Sequence, residues 1–464
     1  MIAPAPQISP DSRDAHRRLS PAAERFLEHL LDHPDQAAQL VGFDKGLPRW
    51  MTPLGITWPT LVDARRVAEM ERATVGVCNL VKAIPAVVFG GNLGAIAAFY
   101  GDDPVLLAAN FAVPNYRNST VARCDFIDTP GGLMCCEVNL AANLGGWHQG
   151  FWYERYLRHP VLMDFCAREG IRPGGRDVLS TLCEHMIDDA LANGVIEAGG
   201  ELNLVVDIGA PPTVGARRQA DQMYAELLRG TGRGVTGHLW LAGTPAEELT
   251  FRGAEVYADE RRMHVYYTFS PNRPPMPVLR AAIAGAIRVY NGGIARVWVD
   301  KRNLALLSEN EGLAGWTEEE RELIRDHVPW TRLGSARTTT WRGAEVQFPG
   351  FLLDHRDDLV LKRGVGAGGE AVHVGRYLEP DAWEARVRGA VEEGGWIVQE
   401  RVESRPYFYP PRPGADPVRQ TVIWGLFCTG SRYAGGGLRM LPQGTSEGIV
   451  SGSRGACEGA ILEI

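Results

Sequence analysis

An arginine, two carboxylates and an amide stand at alternating positions of one predicted β-hairpin, residues 123–140. Two apolar runs flank a Thr-Pro-Gly-Gly segment, which is a pattern typical of strand, turn and strand. With the turn centred on the glycines, Asp125 lies opposite Glu137 and Arg123 lies opposite Asn139. The pattern therefore predicts that all four side chains share one face.

Carboxylates that face each other across a hairpin are unfavourable, so Asp125 and Glu137 require a compensating cation. Mg²⁺ prefers oxygen ligands, takes few carboxylates and bridges substrate phosphates. The hairpin therefore indicates a magnesium site that uses Glu137 and Asn139. The alternative is a solvated sheet face on which Arg123 neutralises the two acids.

A glycine-rich stretch that follows a lysine is the second segment whose residues could take part in chemistry. A short apolar strand leads to Lys362, and Gly364, Gly366, Gly368 and Gly369 precede another alternating run. Glycines let backbone N–H groups approach phosphate oxygens closely and adopt φ > 0, while a lysine supplies a point charge. The stretch predicts a β-loop-β hairpin that binds nucleotide phosphates, with a flexible surface hairpin as the alternative.

Other nucleotide and hydrolase motifs are excluded by their context. Residues 364–369 match a dinucleotide-binding glycine fingerprint, but that fingerprint needs a helix, and residues 370–374 alternate as a strand does. No P-loop occurs in the sequence, and residues 444–448 spell G-x-S-x-G, but the glycine-rich residues that follow lack the helix pattern that a nucleophile elbow needs. A magnesium site and a phosphate-binding loop in the same chain instead indicate an ATP site.

The length and composition of the chain limit the number of domains and the kinds of partner that we expect. A chain of 464 residues predicts about two or three domains. The formal charge of -8 argues against binding to nucleic acid or anionic membranes, so we expect small-molecule partners. The first residues lack a signal-peptide core, which predicts a cytoplasmic protein, and the eight cysteines are expected to be reduced thiols.

The elements that position the site are only partly readable. The first twenty residues look like a loose arm, after which Ser20-Pro21 predicts a helix start. Capping boxes at Thr244 and Thr317 predict two further helix starts. Residues 203–242 read as strand, helix and strand, and the chain becomes β-rich from about residue 340. The mixture predicts an α/β or α+β fold.

The order of these segments resembles that of circularly permuted ATP-grasp enzymes, namely eukaryotic glutathione synthetase, glutathionylspermidine synthase and permuted ligases of peptide natural-product pathways. Their R-x-D and E-x-N motifs correspond to Arg123-Cys-Asp125 and Glu137-Val-Asn139, and in the permuted group this hairpin precedes the glycine loop, as it does here. Residues 297–309, 395–404 and 435–456 are similar to the family's entry segment, adenine hinge and closing segment.

The resemblance implies specific roles. Glu137 and Asn139 would hold magnesium, Arg123 would face the reacting carboxylate, and Arg439 stands at the position of the substrate-binding arginine. A metal-binding glutamate that glutathione synthetase carries in its glycine loop is missing, and Asp125 or Glu370 is left to replace it; we take Asp125 as the third ligand. The residues implied to bind ATP are Lys301, Lys362, Gly366, Gly368, Gly369, Gln399, Glu400 and Val402.

The implied fold is α/β with α+β elements, a circularly permuted ATP-grasp fold with an inserted small α/β substrate domain. We expect an N-terminal region with the hairpin at 1–150, a substrate domain at 151–295 and an ATP-grasp region at 296–464.

The implied function is an ATP- and Mg²⁺-dependent ligase that joins a carboxylate to an amine or short peptide through an acyl phosphate, releasing ADP and phosphate, in specialised metabolism such as antibiotic biosynthesis. A phosphotransferase on the same fold and a non-catalytic nucleotide-binding scaffold are the alternatives. The oligomeric state stays open, with a homodimer as one alternative. Whether His148 and the aromatic residues of 147–157 line an acceptor pocket or belong to the core is also left open.

Overall fold

Three main β-sheets, each with helices packed against it, make up the fold. The computed structural model describes residues 8–41, 55–140, 144–269, 273–366, 369, 371–412 and 414–464. The N-terminal elements are α1 (Pro10–Leu19), α2 (Pro21–Asp32), α3 (Pro34–Gln39), β1 (Thr60–Val62), α4 (Ala64–Val87), α5 (Leu93–Tyr100), α6 (Pro104–Phe111), β2 (Val121–Thr129) and β3 (Gly132–Asn139).

The middle of the chain is mixed. Its elements are α7 (Gln149–Tyr156), α8 (Pro160–Glu169), α9 (Val178–Ala192), β4 (Leu204–Asp207), α10 (Val214–Gly230), β5 (Leu239–Ala242), α11 (Pro245–Glu248), β6 (Thr250–Arg252), β7 (Glu255–Ala258), β8 (Arg261–Met263), β9 (Val265–Thr268), α12 (Met276–Ile283) and β10 (Arg288–Tyr290).

The last third is rich in strands. Its elements are α13 (Ala295–Trp298), α14 (Arg302–Glu309), α15 (Glu318–His327), β11 (Thr331–Leu333), β12 (Thr338–Trp341), β13 (Ala344–Gln347), α16 (Gly350–Asp354), β14 (Leu359–Arg363), β15 (Val372–Val374), α17 (Pro380–Glu393), β16 (Trp396–Glu400), β17 (Tyr407–Tyr409), β18 (Val418–Thr429), β19 (Arg432–Pro442) and β20 (Cys457–Glu463). Short 3₁₀ turns lie at Arg356–Asp358, Gly375–Tyr377, Ser446–Gly448 and Gly452–Arg454.

The largest sheet joins the two ends of the chain. Its order is β1-β20-β19-β18-β2-β3, with β17 paired to the start of β18. We call it the central sheet. The long helix α4 packs on β18, β19, β2 and β3 and covers one face, where Cys124, Phe126, Trp424, Leu438 and Met440 are fully buried. Because side chains alternate along a strand, Arg123, Asp125 and Arg439 point to the opposite face.

A second, four-stranded sheet carries the glycine loop and has the order β11-β16-β14-β15. We call it the glycine-loop sheet. Helix α17 packs on β14 and β16, where Leu359, Leu361 and Val398 form a core with Trp383 and Val387 of the helix. Alternation then turns Val360, Lys362 and Gln399 to the other face, toward the central sheet.

The strand, helix and strand predicted for 203–242 are β4, α10 and β5, and they belong to a parallel sheet of order β10-β9-β4-β5. This small parallel sheet lies within the predicted substrate region. The central sheet, by contrast, takes β1–β3 from the first predicted domain and β17–β20 from the last. The domain boundaries themselves stay a prediction.

Two local predictions were wrong. Residues 8–20, the described part of the predicted loose arm, are ordered as a helix: Ser9 caps α1, Pro10 occupies its first turn, and Ala15, His16 and Leu19 bury one face of the helix. The helix start predicted at Thr244 is present as α11, but the predicted capping box does not form, and Glu248 instead accepts from the backbone N–H groups of Gly243 and Thr244.

Two other helix starts are confirmed. Ser20 accepts a hydrogen bond from the backbone of Ala23, and Thr317 forms a reciprocal capping box with Glu320. The eight cysteines are free thiols, as expected. Among the described residues, no helix is both long and apolar enough to cross a membrane.

Candidate functional site

A cavity of about 1110 Å³ separates the central sheet from the glycine-loop sheet. Ligand pockets commonly measure about 300–1,000 Å³, so this one has room for a nucleotide and a further substrate. Most of the residues singled out in the sequence lie along its wall, and Gly366 does not: those on the wall are Arg123, Asp125, Glu137, Asn139, Lys301, Lys362, Gly369, Gln399, Glu400, Val402 and Arg439. Segments far apart in the chain therefore meet at one cavity.

The hairpin has the predicted pairing at its four polar residues. Asp125 is the partner of Glu137, and Arg123 is the partner of Asn139. Near the turn the register differs by one residue, and a bulge at Cys136 restores the pairing further along. The bulge keeps the apolar residues Leu133 and Cys135 in the core while Glu137 faces the cavity.

Two arginines from different strands hold Asp125. Arg123 donates from Nε to Oδ1 at 2.8 Å, and Arg439 donates from Nη2 to Oδ2 at 2.7 Å. Burial would raise the pKa of Asp125, but the two guanidinium charges and their hydrogen bonds outweigh it and lower the pKa to about 2. Burial also disfavours charge on Arg439, yet the Asp125 carboxylate raises its pKa. Asp125 and Arg439 are therefore both ionised at neutral pH.

Lys301 supplies the cation opposite Glu137. Its Nζ lies 3.0 Å from Glu137 Oε1 and donates to the carbonyl of Gly366 at 2.7 Å. The backbone N–H of Lys301 also donates to the carbonyl of Gly364. One buried lysine thus joins the hairpin to the start of the glycine loop, and the compensation inferred from sequence comes from protein side chains, Arg439 and Lys301 among them.

Lys362 is held by neutral oxygens. Its Nζ donates to Gln399 Oε1 at 2.6 Å and to the carbonyl of Cys136 at 3.0 Å, while Gln399 Nε2 donates to Thr331. The Gln399 side chain therefore orients Lys362 from the neighbouring strand. The Cys136 contact binds the glycine-loop sheet directly to the hairpin.

The glycine loop begins in close contact with the segment beneath it. A Cβ on Gly364 would lie 2.7 Å from Asp300 Oδ1 and 3.0 Å from the carbonyl of Gly395, so only glycine fits. Gly366 supplies its carbonyl to Lys301, and Gly369 touches Ile449 across the cavity. Gly368 and Glu370 lie outside the described residues. The antiparallel pairing of β14 with β15 confirms the hairpin and excludes a helix after the loop.

The predicted hinge forms the far end of the cavity. Glu400 pairs with Arg342 at 3.2 Å, and Val402 lines the wall beyond it. Val360, Val374 and Ile449 form a small buried apolar cluster with Val372, and all four residues also line the cavity. The cavity is thus charged at the hairpin and apolar beside the hinge.

The oxygen donors suit a magnesium ion that is shared with phosphates. In the described part of the chain, no three His, Cys, Asp or Glu side chains are grouped to hold a metal by themselves. Glu137 and Asn139 face the cavity, and Mg²⁺ usually binds one or two carboxylates together with substrate phosphates and water. Asp125, whose oxygens already accept from two arginines, is less available than Glu137.

Sequence reasoning missed the supports of these groups. Asp300 is buried, forms an ion pair with Arg302 at 2.6 Å and lies under Gly364. Thr331 orients Gln399. The charged run Asp-Lys-Arg-Asn within an apolar segment was a usable signal for Asp300, whereas Thr331 had none.

Comparison with known proteins identifies the fold. No family model and no curated protein matches the sequence. Among 42 matching chains of solved structure is the apo form of a glutathione synthetase-like effector from Globodera pallida. It is 15% identical, the match covers 94% of this chain and 93% of that one, and the TM-score is 0.54. The chain therefore has a mixed α/β fold similar to that of this glutathione synthetase-like protein.

Proposed function

We propose that this protein is an ATP-dependent carboxylate–amine ligase that works through an acyl phosphate and releases ADP and phosphate. The observation that carries the proposal is the convergence at one end of a single cavity of four cations, Arg123, Lys301, Lys362 and Arg439. Among the described residues, only two carboxylates, Asp125 and Glu137, accompany them there. That excess of positive charge suits a polyphosphate. The glutathione synthetase-like fold supports the ligase class.

In this proposal the two lysines receive the phosphates. Lys362 is already oriented by Gln399 and Cys136, so its ammonium needs little ordering when a phosphate oxygen replaces a carbonyl. Lys301 exchanges Glu137 for phosphate. The apolar cluster of Val360, Val374 and Ile449 accommodates the base, beside the hinge at Glu400 and Val402.

Glu137 and Asn139 are the residues that would hold magnesium once Lys301 has moved. When bound, the metal neutralises phosphate charge and orients the phosphate that is transferred. Asp125 stays with its arginines and positions them, which revises the assignment of Asp125 as a third metal ligand.

Arg123 and Arg439 anchor the acid substrate. Each guanidinium gives Asp125 part of its donors, and Arg123 Nη1 also donates to the carbonyl of Gly145. A planar guanidinium retains further donors for a second anion, which suits a carboxylate or a transferring phosphoryl group. The carboxylate would attack the γ-phosphorus between the arginines and the lysines.

Trapping with hydroxylamine tests the proposal. Purified protein is incubated with ATP, Mg²⁺, hydroxylamine and, one at a time, the proteinogenic amino acids and simple dipeptides as acids. An acyl phosphate reacts with hydroxylamine to give a hydroxamate, so we expect hydroxamate and ADP in equal amounts with at least one acid. The Arg439→Met variant should form neither product.

Different products would contradict the proposal. AMP and pyrophosphate would indicate acyl-adenylate chemistry, and a stable phosphorylated product without hydroxamate would indicate a phosphotransferase. ATP binding without turnover of any acid would favour a nucleotide-binding scaffold.

A further inference from the structure

We propose that His148, Gln149 and Glu458 form the amine subsite of this ligase, with His148 as the proton acceptor. The inference rests on the proposed function and deepens it, because it states the chemistry that recognises the second substrate. The three residues lie where α7 begins, against the cavity-facing side of the central sheet.

Glu458 is placed by the sheet itself. It is the cross-strand partner of Arg439, so the two side chains share the face of the central sheet that carries Arg123 and Asp125. Its carboxylate Oε2 lies 2.5 Å from His148 Nε2. Both side chains are well buried, at 6% and 11% exposure. A histidine and a glutamate thus form a close pair beside the proposed site of acid activation.

Gln149 adds an unsatisfied acceptor. Its side chain lies over Gly437, where a Cβ would be only 2.4 Å from Gln149 Cδ. Gln149 is 6% exposed, and its buried Oε1 has no hydrogen-bond partner among the described residues. A buried carbonyl oxygen without a donor costs free energy, so the position favours a ligand that brings an N–H group.

The subsite differs in polarity from its neighbour. Arg123 and Arg439 offer donors and positive charge, which suits the acid. The amide oxygen of Gln149 and the histidine–carboxylate pair instead offer acceptors, which suits an amine and disfavours a second acid. The two substrates would therefore be distinguished by charge across β19 and β20.

The pair can also take the proton that amide formation releases. When His148 donates Nε2–H to Glu458, its Nδ1 carries the lone pair. No residue in the described part of the chain hydrogen-bonds to Nδ1. Nδ1 takes one proton from the ammonium form of the amine. The neutral nitrogen then forms the C–N bond, the bond from carbon to the phosphate oxygen breaks, and phosphate leaves with that electron pair and with the second proton that the nitrogen loses. Glu458 then stabilises the imidazolium.

A comparison of two nucleophiles, hydroxylamine and an amino acid, distinguishes a role in amine binding and deprotonation from a purely structural role. Hydroxylamine is neutral near pH 7 and needs no proton acceptor, whereas glycine and other amino acids are protonated. His148→Gln, Glu458→Gln and Gln149→Leu should leave hydroxamate formation unchanged. Amide formation with amino acids as amines should fall about 100-fold in His148→Gln. In Gln149→Leu the main effect should be a higher KM for the amine.

A matched control uses another histidine–carboxylate contact. His238 Nδ1 lies 3.3 Å from Asp221 on the small parallel sheet, so His238→Gln should leave both products unchanged. Thermal unfolding of each variant checks the fold. Equal losses of hydroxamate and amide, or unchanged amide formation, would overturn the inference while leaving the ligase proposal intact. If the wild type forms no hydroxamate with any acid, the ligase proposal falls and takes this inference with it.

Discussion

The charged end of the cavity is a set of buried groups that satisfy one another until a ligand binds. Asp125 lies between Arg123 and Arg439, and Glu137 is paired with Lys301. Each ionised group has a partner, which limits the cost of burying charge. A phosphate or carboxylate ligand would therefore enter by exchanging partners.

Removing the charge of Asp125 should destabilise the fold. In Asp125→Asn, two buried guanidinium groups lose their anionic partner, and we expect the free energy of unfolding to fall by about 3 kcal/mol. Asp188 pairs with Arg233 and Arg432 at the surface, so Asp188→Asn should cost less than about 1 kcal/mol. Urea unfolding at pH 7 measures the stability of both variants. Equal losses of stability would contradict the role of Asp125 as the buried partner of Arg123 and Arg439.

Lys362 should matter for nucleotide binding more than for stability. Lys82 offers a matched control, because it is also buried and donates to the carbonyl of Gly430. Lys362→Met should weaken binding of Mg²⁺·ATP about tenfold or more, since a charge-assisted hydrogen bond contributes about 1.5–3 kcal/mol. Lys82→Met should change unfolding but leave calorimetric ATP binding alone. The same loss in both variants would remove Lys362 from the site.

For single residues, the sequence could predict which side chains share a face and could do chemistry, but not which of them contact one another. The alternation of hairpin residues gave the shared face of Arg123, Asp125, Glu137 and Asn139, because register follows from a short turn. That Arg439 shares Asp125 with Arg123 depends on β2 and β19 both pairing with β18, and no local pattern specifies such a long-range order.

Among the elements, the glycine loop has the most restricted geometry. Gly364 donates its N–H to the carbonyl of Gly395 and leaves no room for a side chain beside Asp300. The loop is therefore anchored at its base, and the amides that we propose to bind phosphate begin from a defined position.

Filling that space should displace the loop. In Gly364→Ala the new methyl group would collide with Asp300 and the Gly395 backbone, so we expect clearly weaker ATP binding. Gly230 has open space at its Cβ position, and Gly230→Ala should leave binding unchanged. Calorimetric titration with Mg²⁺·ATP compares the two variants. Unchanged affinity in Gly364→Ala would mean that the loop does not hold phosphate.

Elements with strong local signals were predictable, and those decided by packing were not. The β14–β15 hairpin follows from period-two alternation around glycines. The bulge at Cys136 was not foreseen, because it reconciles the tight turn with the core positions of Leu133 and Cys135. Helix α1 was missed because its few apolar residues are buried only through tertiary contacts with α2, β1 and β17.

At the scale of the whole molecule, helix α1 packs against the edge of the central sheet and helps to hold β17 in place. His16 of α1 accepts a hydrogen bond from the backbone N–H of Phe408 on β17 and packs on Tyr407 and Tyr409. Burial lowers the pKa of His16 from 6.5 to about 3. Its neutral form therefore belongs to the folded state.

This burial makes stability depend on pH. Between pH 6.5 and about 3 the unfolded chain binds a proton at His16 that the folded chain does not bind, so stability falls as the pH falls. The contribution is full above pH 6.5 and decreases by about 1.4 kcal/mol for each pH unit below it. His16→Gln, which keeps an acceptor but does not titrate, should flatten the urea-unfolding profile between pH 6.5 and 5. Identical slopes would contradict the assignment.

The central claim is that the hairpin and the glycine loop bind one nucleotide together. A crystal structure with Mg²⁺ and a non-hydrolysable ATP analogue tests it most directly. The claim predicts phosphates within hydrogen-bonding distance of Lys301 and Lys362, the metal on Glu137 and Asn139, and the base beside Val360, Val374 and Ile449. A nucleotide bound elsewhere, or phosphates that contact neither lysine, would contradict it.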